Sequence, residues 1–301
     1  MTTVATSSAA PAAVPALLAP WSGPFGGVPP FGQVGVEEYA PALEAAMAEQ
    51  LAAIDRIAEN TAPPTFDNTI AAYERAGRQL DRVMTLYDVA CSTVSDPPLQ
   101  AVEREMAPKL AAFHDRIVQH RGFFDRVAAV HESADAAQLS PEQRRAAWQL
   151  HTHLELAGAR LDPDEQAELA AINQELASLH TTFAQHVLRE EEDTAVFLET
   201  EADLAGLPEA FRQSAREAAE ARGRAGAWAI PNTRSSVEPF LTFSDRRDLR
   251  EKVWRMFVRR GDRGNDTDNK AVAARILALR TRRANVLGFP THAHWRLEDS
   301  M

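Results

Sequence analysis

Apolar residues recur every three or four positions along most of the chain, which is the spacing of helices that bury one face. The first stripe ends near Asn60, and its apolar members are Val36, Tyr39, Leu43, Met47, Leu51, Ile54 and Ile57. A second stripe runs from Ile70 to Tyr87. The pattern predicts amphipathic helices, commonly of roughly 15 to 30 residues, packed antiparallel.

Polar residues that can cap a helix stand directly before several of these stripes. Asp96 precedes a proline, and the segments SPEQ (140–143) and DPDE (162–165) place a capping residue three positions before Gln or Glu. Thr291 stands before the last helical segment. We expect helices to begin at these residues. Pro108 lies inside the helix that follows Asp96, where it should bend or split that helix.

The first 35 residues depart from the helical pattern because they are rich in Ala, Pro, Gly and Ser. We expect residues 1–35 to form a flexible, extended strap and residues 36–301 to form one helical region. The aromatic residues expected to hold the strap to the body are Trp21, Phe25 and Phe31. The sequence therefore predicts an extended strap followed by a helical body.

One segment of the helical region resembles a strand. AWAI, at residues 227–230, is short, apolar and flanked by helix breakers. The predicted fold class is all-α, with almost entirely long antiparallel helices and at most a short strand pair near residues 227–243.

The charge of the chain is acidic overall but unevenly distributed. The net charge is -11, which repels nucleic acid and anionic membranes. Residues 244–283 nevertheless hold 13 basic and 6 acidic side chains. We interpret this stretch as pairing with acidic helices of the same protein. Nucleic-acid binding through its arginines is the alternative, and salt-dependent retention on DNA would support it.

The sequence shows no strong targeting signal and too few cysteines for a disulfide. The first twenty residues carry no basic side chain and only a short apolar run broken by prolines, which is a poor secretory signal. We find no run of about 18 apolar residues that would span a membrane. Cys91 is the single cysteine, so no intrachain disulfide can form. We expect a cytoplasmic protein.

The nine histidines raise the possibility of a metal site. His131 and Glu132 begin like the zinc motif His-Glu-x-x-His, but Asp135 stands where the second histidine is required. We place this segment in a loop before Ser140 and expect no metal there.

The remaining histidine groups have spacings that do not suit a helical metal site. HTH (151–153) and HAH (292–294) place histidines two apart, about 200° around a helix, so each pair should have one inward and one outward member. His186 and Glu190 share a helix face, but two ligands make an incomplete site. We interpret them as a pair on the helix surface.

No nucleophilic or phosphate-binding motif is present either. The sequence holds no Gly-x-Ser-x-Gly elbow and no glycine-rich phosphate loop, and Cys91 has no neighbouring base or helix start to lower the pKa of its thiol. We therefore predict no catalytic residue, no cofactor-binding residue and no metal ligand in this chain.

Long segments of the chain resemble a known family. They include LLAPWSGPFGGVPPF, PTFDNTIAAYERAG, LQAVEREMAPKLAAFHD and the run from RRGDRGNDTDNK to the end. Together they resemble the thimet oligopeptidase family of zinc metallopeptidases, and within it the bacterial peptidyl-dipeptidase and oligopeptidase A branch. The resemblance extends from about Leu17 to Met301, in the order of the family.

The resemblance implies the helical N-terminal lobe of a two-lobed enzyme whose deep channel admits short peptides. In that family a His-Glu-x-x-His motif and a later glutamate hold zinc, and no position of this sequence matches them. We expect a chain truncated before the catalytic zinc region, which forms a wall of the peptide channel, binds no zinc and is inactive alone. Self-association or a complementary C-terminal half would then supply a partner. The alternative is a stand-alone, non-catalytic helical interaction module.

Overall fold

A computed structural model describes residues 16–133 and 138–299 of the chain. Most of the described part is helical, and its sheet consists of one pair of short strands, which confirms the predicted all-α class. The helices are α1 Tyr39–Ala58, α2 Ala71–Ala76, α3 Arg78–Thr93, α4 Pro97–Val118, α5 Arg121–Glu132, α6 Pro141–Leu156, α7 Pro163–Asp193, α8 Glu209–Glu220, α9 Arg234–Phe243, α10 Arg247–Val258, α11 Lys270–Val286 and α12 His292–Arg296. The strands are β1 Ala195–Leu198 and β2 Trp228–Pro231.

The chain divides into two compact units. The first comprises the described residues up to Ala177 together with those from Thr281 onwards, and the second comprises Ser178–Arg280. Each unit has its own apolar core. In the described part, no helix is both long and apolar enough to cross a membrane.

The predicted caps begin their helices. The side chain of Asp96 accepts from the backbone N–H of Leu99 at 3.0 Å. Reciprocal bonds join Ser140 to Gln143, and Asp162 to Glu165. These bonds satisfy backbone N–H groups that have no partner within the first turn of a helix, which is why the chain turns helical at these points.

One prediction about helix boundaries is wrong and another holds only in part. Of the two effects expected of Pro108, bending or splitting, splitting does not occur, because α4 runs through it as one helix. Buried Met106 before the proline and Ile117 after it hold both halves in the core, which offsets one lost hydrogen bond. His131 lies in the last turn of α5 and not in a loop, because Val127 and Val130 continue the buried stripe to that end of the helix.

The core of the first unit consists of two apolar clusters. One cluster joins α1 to α5 and α6, and in it Tyr73 lies 5.2 Å from Phe123, centroid to centroid. The other joins α1 to α3 and α4, and includes Tyr39 and Tyr87 with ring centroids 5.8 Å apart. α1 contributes to both, because its apolar stripe is wide enough to contact neighbours on two sides.

The N-terminal segment is held less by aromatic residues than the sequence predicts. Leu17 is fully buried in the second cluster of the first unit, and Trp21 packs against that cluster. Phe25 and Phe31 are exposed, so the prediction that they pin the segment is wrong. Residues 1–15 of the predicted strap lie outside the described residues.

The second unit is built around the strand pair. β1 and β2 are antiparallel, with Val196 opposite Ile230 and Leu198 opposite Trp228. The predicted strand near residues 227–230 is therefore present, but its partner lies at 195–198, outside the predicted 227–243 interval. The apolar cluster around the strands is Leu198, Leu204, Leu207, Ala215, Trp228, Ile230, Val237, Phe240, Leu249, Val253 and Met256.

Candidate functional site

Two histidine pairs lie where α6 packs against other helices of the first unit. The rings of His151 and His131 stack with centroids 4.7 Å apart, and His153 meets His114 edge-on at 5.8 Å. His151 is buried and His153 is exposed, which confirms that the HTH segment has one inward and one outward histidine.

The His151 imidazole lies between two other rings. Phe124 stacks on it at 5.5 Å, His131 stacks on it at 4.7 Å, and its Nδ1 atom is 3.3 Å from a carboxylate oxygen of Glu155. Burial lowers the pKa of His151, while Glu155 acts in the opposite direction. Because the lone pairs of an imidazole lie in the ring plane, stacked rings do not direct them at one ion. Asp135, which interrupts the zinc-like motif, lies outside the described residues.

The histidines near the end of the chain pack locally. His292 lies 5.5 Å from the Trp295 ring, and the Nδ1 atom of His294 is 2.7 Å from the Thr291 hydroxyl oxygen. Thr291 also caps α12 by accepting from the backbone N–H of His294 at 3.3 Å. These contacts help the two histidines of HAH to hold α12 in place.

His186 and Glu190 are not the surface pair that their spacing predicts. Glu190 is 3% exposed, accepts a hydrogen bond from the Thr267 hydroxyl at 2.7 Å, and forms an ion pair with Arg263, whose Nε atom is 2.9 Å from its other carboxylate oxygen. The Nδ1 atom of His186 is 2.9 Å from the side-chain oxygen of Asn269. Both residues of α7 therefore fasten the loop between α10 and α11, in the second unit.

A chain of polar contacts connects the interior of the first unit to α12. Asp115, 3% exposed, accepts from Asn173 at 2.7 Å, and Arg283 donates to the same Asn173 at 3.3 Å. The guanidinium of Arg283 lies 4.4 Å from the Trp295 ring. The indole N–H of Trp295 donates to the Leu156 carbonyl at 2.8 Å. These contacts were not predicted from the sequence, since the residues that make them are far apart along the polypeptide.

Cys91 is half-buried and unsuited to nucleophilic chemistry. Burial raises the pKa of its thiol to about 11, although a hydrogen bond from Tyr87 acts in the opposite direction. The thiol is therefore protonated at neutral pH, and the thiolate is the nucleophilic form.

Many basic side chains of residues 244–283 pair with carboxylates of their own unit. The pairs are Arg246 with Asp203 and Asp248, Arg255 with Glu251, Arg260 with Glu191, Arg263 with Glu190, Lys270 with Asp262 and Asp268, and Arg282 with Glu168. Internal pairing is confirmed for these residues. Nucleic-acid binding by the stretch stays untested.

A metal site does not fit the described residues. Within residues 16–133 and 138–299, no group of three or more His, Cys, Asp or Glu side chains is arranged to hold a metal ion. We therefore assign no zinc-dependent step to them.

Comparison with known proteins shows what the chain is similar to. Residues 240–301 match the model of peptidase family M3. The dipeptidyl carboxypeptidase of Escherichia coli is 31% identical over 273 residues, covering 91% of this chain and 40% of that protein. The chain is a relative of the M3 peptidases. This confirms the family resemblance indicated by the sequence.

Other M3-type relatives align with a similar part of the chain. Oligopeptidase A of Haemophilus influenzae is 28% identical, covering 91% of this chain and 41% of that protein. The probable cytosolic oligopeptidase A of Arabidopsis thaliana is 26% identical, with 91% and 40% covered. The chain thus spans about 40% of the length of these M3 relatives.

Proposed function

We propose that this chain is the N-terminal helical part of a zinc-dependent peptidyl-dipeptidase or oligopeptidase that cleaves short peptides in the cytoplasm. The observation that carries the proposal is the similarity over 91% of the chain to dipeptidyl carboxypeptidase, of which it covers 40%. The family match over residues 240–301 supports it.

In this proposal the chain forms a wall of the peptide channel, and the zinc ligands and general base belong to polypeptide outside it. The state of its ionisable groups supports a structural contribution. His151 is enclosed by rings, the Cys91 thiol is protonated, and Glu190 is engaged by Thr267 and Arg263. None of these groups has the pairing of nucleophile and base that hydrolysis needs.

The first experiment measures metal and activity on the purified chain. After incubation with zinc and dialysis, the zinc content is measured by elemental mass spectrometry, and we expect far less than one zinc ion per chain. We expect no dipeptide release from an N-acylated tripeptide, followed by liquid chromatography. One tightly held zinc together with dipeptide release would overturn the assignment of catalysis to other polypeptide.

A second experiment tests the peptidase function directly. The genomic DNA beyond codon 301 and its neighbourhood is searched for a frame that encodes His-Glu-x-x-His, and its product is purified with and without this chain. We expect dipeptide release from the two together at a rate well above that of either alone. A closed frame without a neighbouring motif, or no gain on mixing, would contradict the proposal.

The alternative is a non-catalytic helical interaction module. The observation that favours it is the exposure of large apolar side chains, such as Phe25, Trp254 and Leu297. Self-association measured by sedimentation velocity over a range of concentrations, with no catalytic partner encoded nearby, would support this alternative. A strictly monomeric species at high concentration would count against self-association.

A further inference from the structure

One face of α10 presents aromatic and basic groups to solvent. We call it the Trp254 face and define it by Arg247, Arg250, Glu251, Trp254 and Val258 of α10 together with Leu241 of α9. All of these residues except Val258 line an open cavity of 460 Å³. Trp254 is 50% exposed and Val258 is 51% exposed. Tryptophan and arginine are among the residues most enriched at the energetically important positions of protein interfaces.

The Trp254 face follows from the helical period of α10. Leu249, Val253 and Met256 form the buried stripe that packs on the core of the second unit. Trp254 and Val258 are four residues apart and therefore lie on one face, away from that stripe. From Arg247 to Val258 the face extends about 16 Å, at about 1.5 Å per residue. That length matches about five residues of extended polypeptide at about 3.3 Å each.

The rim of the cavity is positively charged. The Arg247 side chain has no hydrogen bond or ion pair to any residue that the structure describes, and Arg250 is held by donating to the Ser244 carbonyl. Glu251 accepts from Arg255 at 2.9 Å and 2.7 Å, so its negative charge is offset. The charge left at the rim is that of two guanidinium groups, which bind carboxylates with good geometry.

We propose that the Trp254 face binds a short acidic polypeptide segment that carries an apolar side chain. The indole and Val258 cover the apolar side chain, while Arg247 and Arg250 bind flanking carboxylates. Charge complementarity selects acidic residues, and the length and openness of the face suit a peptide. Nucleic acid is disfavoured by the net charge of -11. This proposal does not depend on the proposed peptidase function.

The experiment measures binding of defined peptides to the purified chain. A fluorescein-labelled, blocked hexapeptide of sequence Asp-Glu-Phe-Leu-Glu-Asp is titrated with the chain, and anisotropy gives the dissociation constant. We expect saturable binding that weakens at high salt. Replacing the four acidic residues by lysine, or Phe-Leu by Ser-Ser, should weaken binding at least tenfold. Absence of saturable binding by the acidic peptide would overturn the proposal.

Matched variants locate the site. Arg247→Glu and Trp254→Ser should each weaken binding at least tenfold. Arg234→Glu makes the same charge change at an exposed position of α9, and Val94→Ser removes an exposed apolar side chain of the first unit. Both controls should bind within about twofold of the original chain. Circular dichroism verifies that each variant is folded.

Two further results would overturn the proposal. Equal loss of binding in Arg247→Glu and Arg234→Glu would mean that the peptide responds only to overall charge. Dissociation of a dimer by Trp254→Ser, without any binding of peptide, would assign the face to a second copy of the chain.

Discussion

Replacing Asp115 by Asn should make the stability of the chain less dependent on pH. The Asp115 carboxyl is 3% exposed, its Oδ1 atom accepts from Asn173 at 2.7 Å, and its Oδ2 atom is buried without a hydrogen bond among the described residues. Burial raises its pKa from 3.8 to about 6, although Asn173 and Arg283 act in the opposite direction. The interior therefore disfavours the ionised form.

The sign and size of the effect follow from proton linkage. The pKa of Asp115 is higher in the folded state than in the unfolded state, so the folded state binds the proton more tightly. Asp115 therefore destabilises the folded state least below about pH 4. Stability is lost as the pH rises through about 6. A shift of about two units corresponds to about 3 kcal/mol at pH 8, and about half of this arises between pH 5 and pH 8. An Asn side chain does not ionise, so Asp115→Asn should remove this loss.

The assay is urea unfolding followed by circular dichroism at pH 5 and pH 8. Between these pH values, Asp115→Asn should gain about 1 to 2 kcal/mol relative to the original chain. Asp125→Asn, which removes an exposed carboxylate paired with Arg121, controls for the loss of one charge. If Asp115→Asn and Asp125→Asn respond identically to pH, the reasoning about burial is refuted.

Two other experiments test buried groups, one by substituting Arg126 and one by the reaction of the Cys91 thiol. Arg126→Met should lower the free energy of unfolding by about 3 to 4 kcal/mol, because Arg126 donates to the carbonyls of Asn60 and Ala62 and to the Asn68 side chain. Urea unfolding measures this, and Arg121→Met, at an exposed position of the same helix, should change stability by less than about 0.5 kcal/mol. The Cys91 thiol, with a pKa of about 11, should react with a disulfide reagent at pH 7.5 roughly a hundredfold more slowly than in the urea-unfolded chain. Similar rates in the folded and unfolded chain would contradict the raised pKa.

Helix positions and starts could be predicted because their causes are local. The apolar stripe of α1 and the reciprocal bonds of Ser140 with Gln143 involve residues within one or two turns of each other. The resemblance to the M3 peptidases was also readable from the sequence, since long segments carry it. The absence of a His-Glu-x-x-His motif directed the proposal of catalysis towards polypeptide outside this chain.

The strand pair shows where local reasoning failed. β2 was predicted as a short apolar run between helix breakers, but no strand was predicted at β1, which directly follows the acidic end of α7. A strand of four residues gains its hydrogen bonds from a partner, and here Ala195 is opposite Pro231. The extended conformation of β1 therefore depends on residues 30 to 36 positions away.

The sequence alone determined the helical class and the capped helix starts, because the helical period and the caps act between near neighbours. It also carried the resemblance to the M3 peptidases. The tertiary structure alone decided which charged groups are buried. Asp115 bonds to Asn173 across 58 positions, and Glu190 bonds to Thr267 across 77. Partners such as Asn173 and Thr267 offset part of the desolvation of a buried carboxyl group, and those partners come together only when the chain folds.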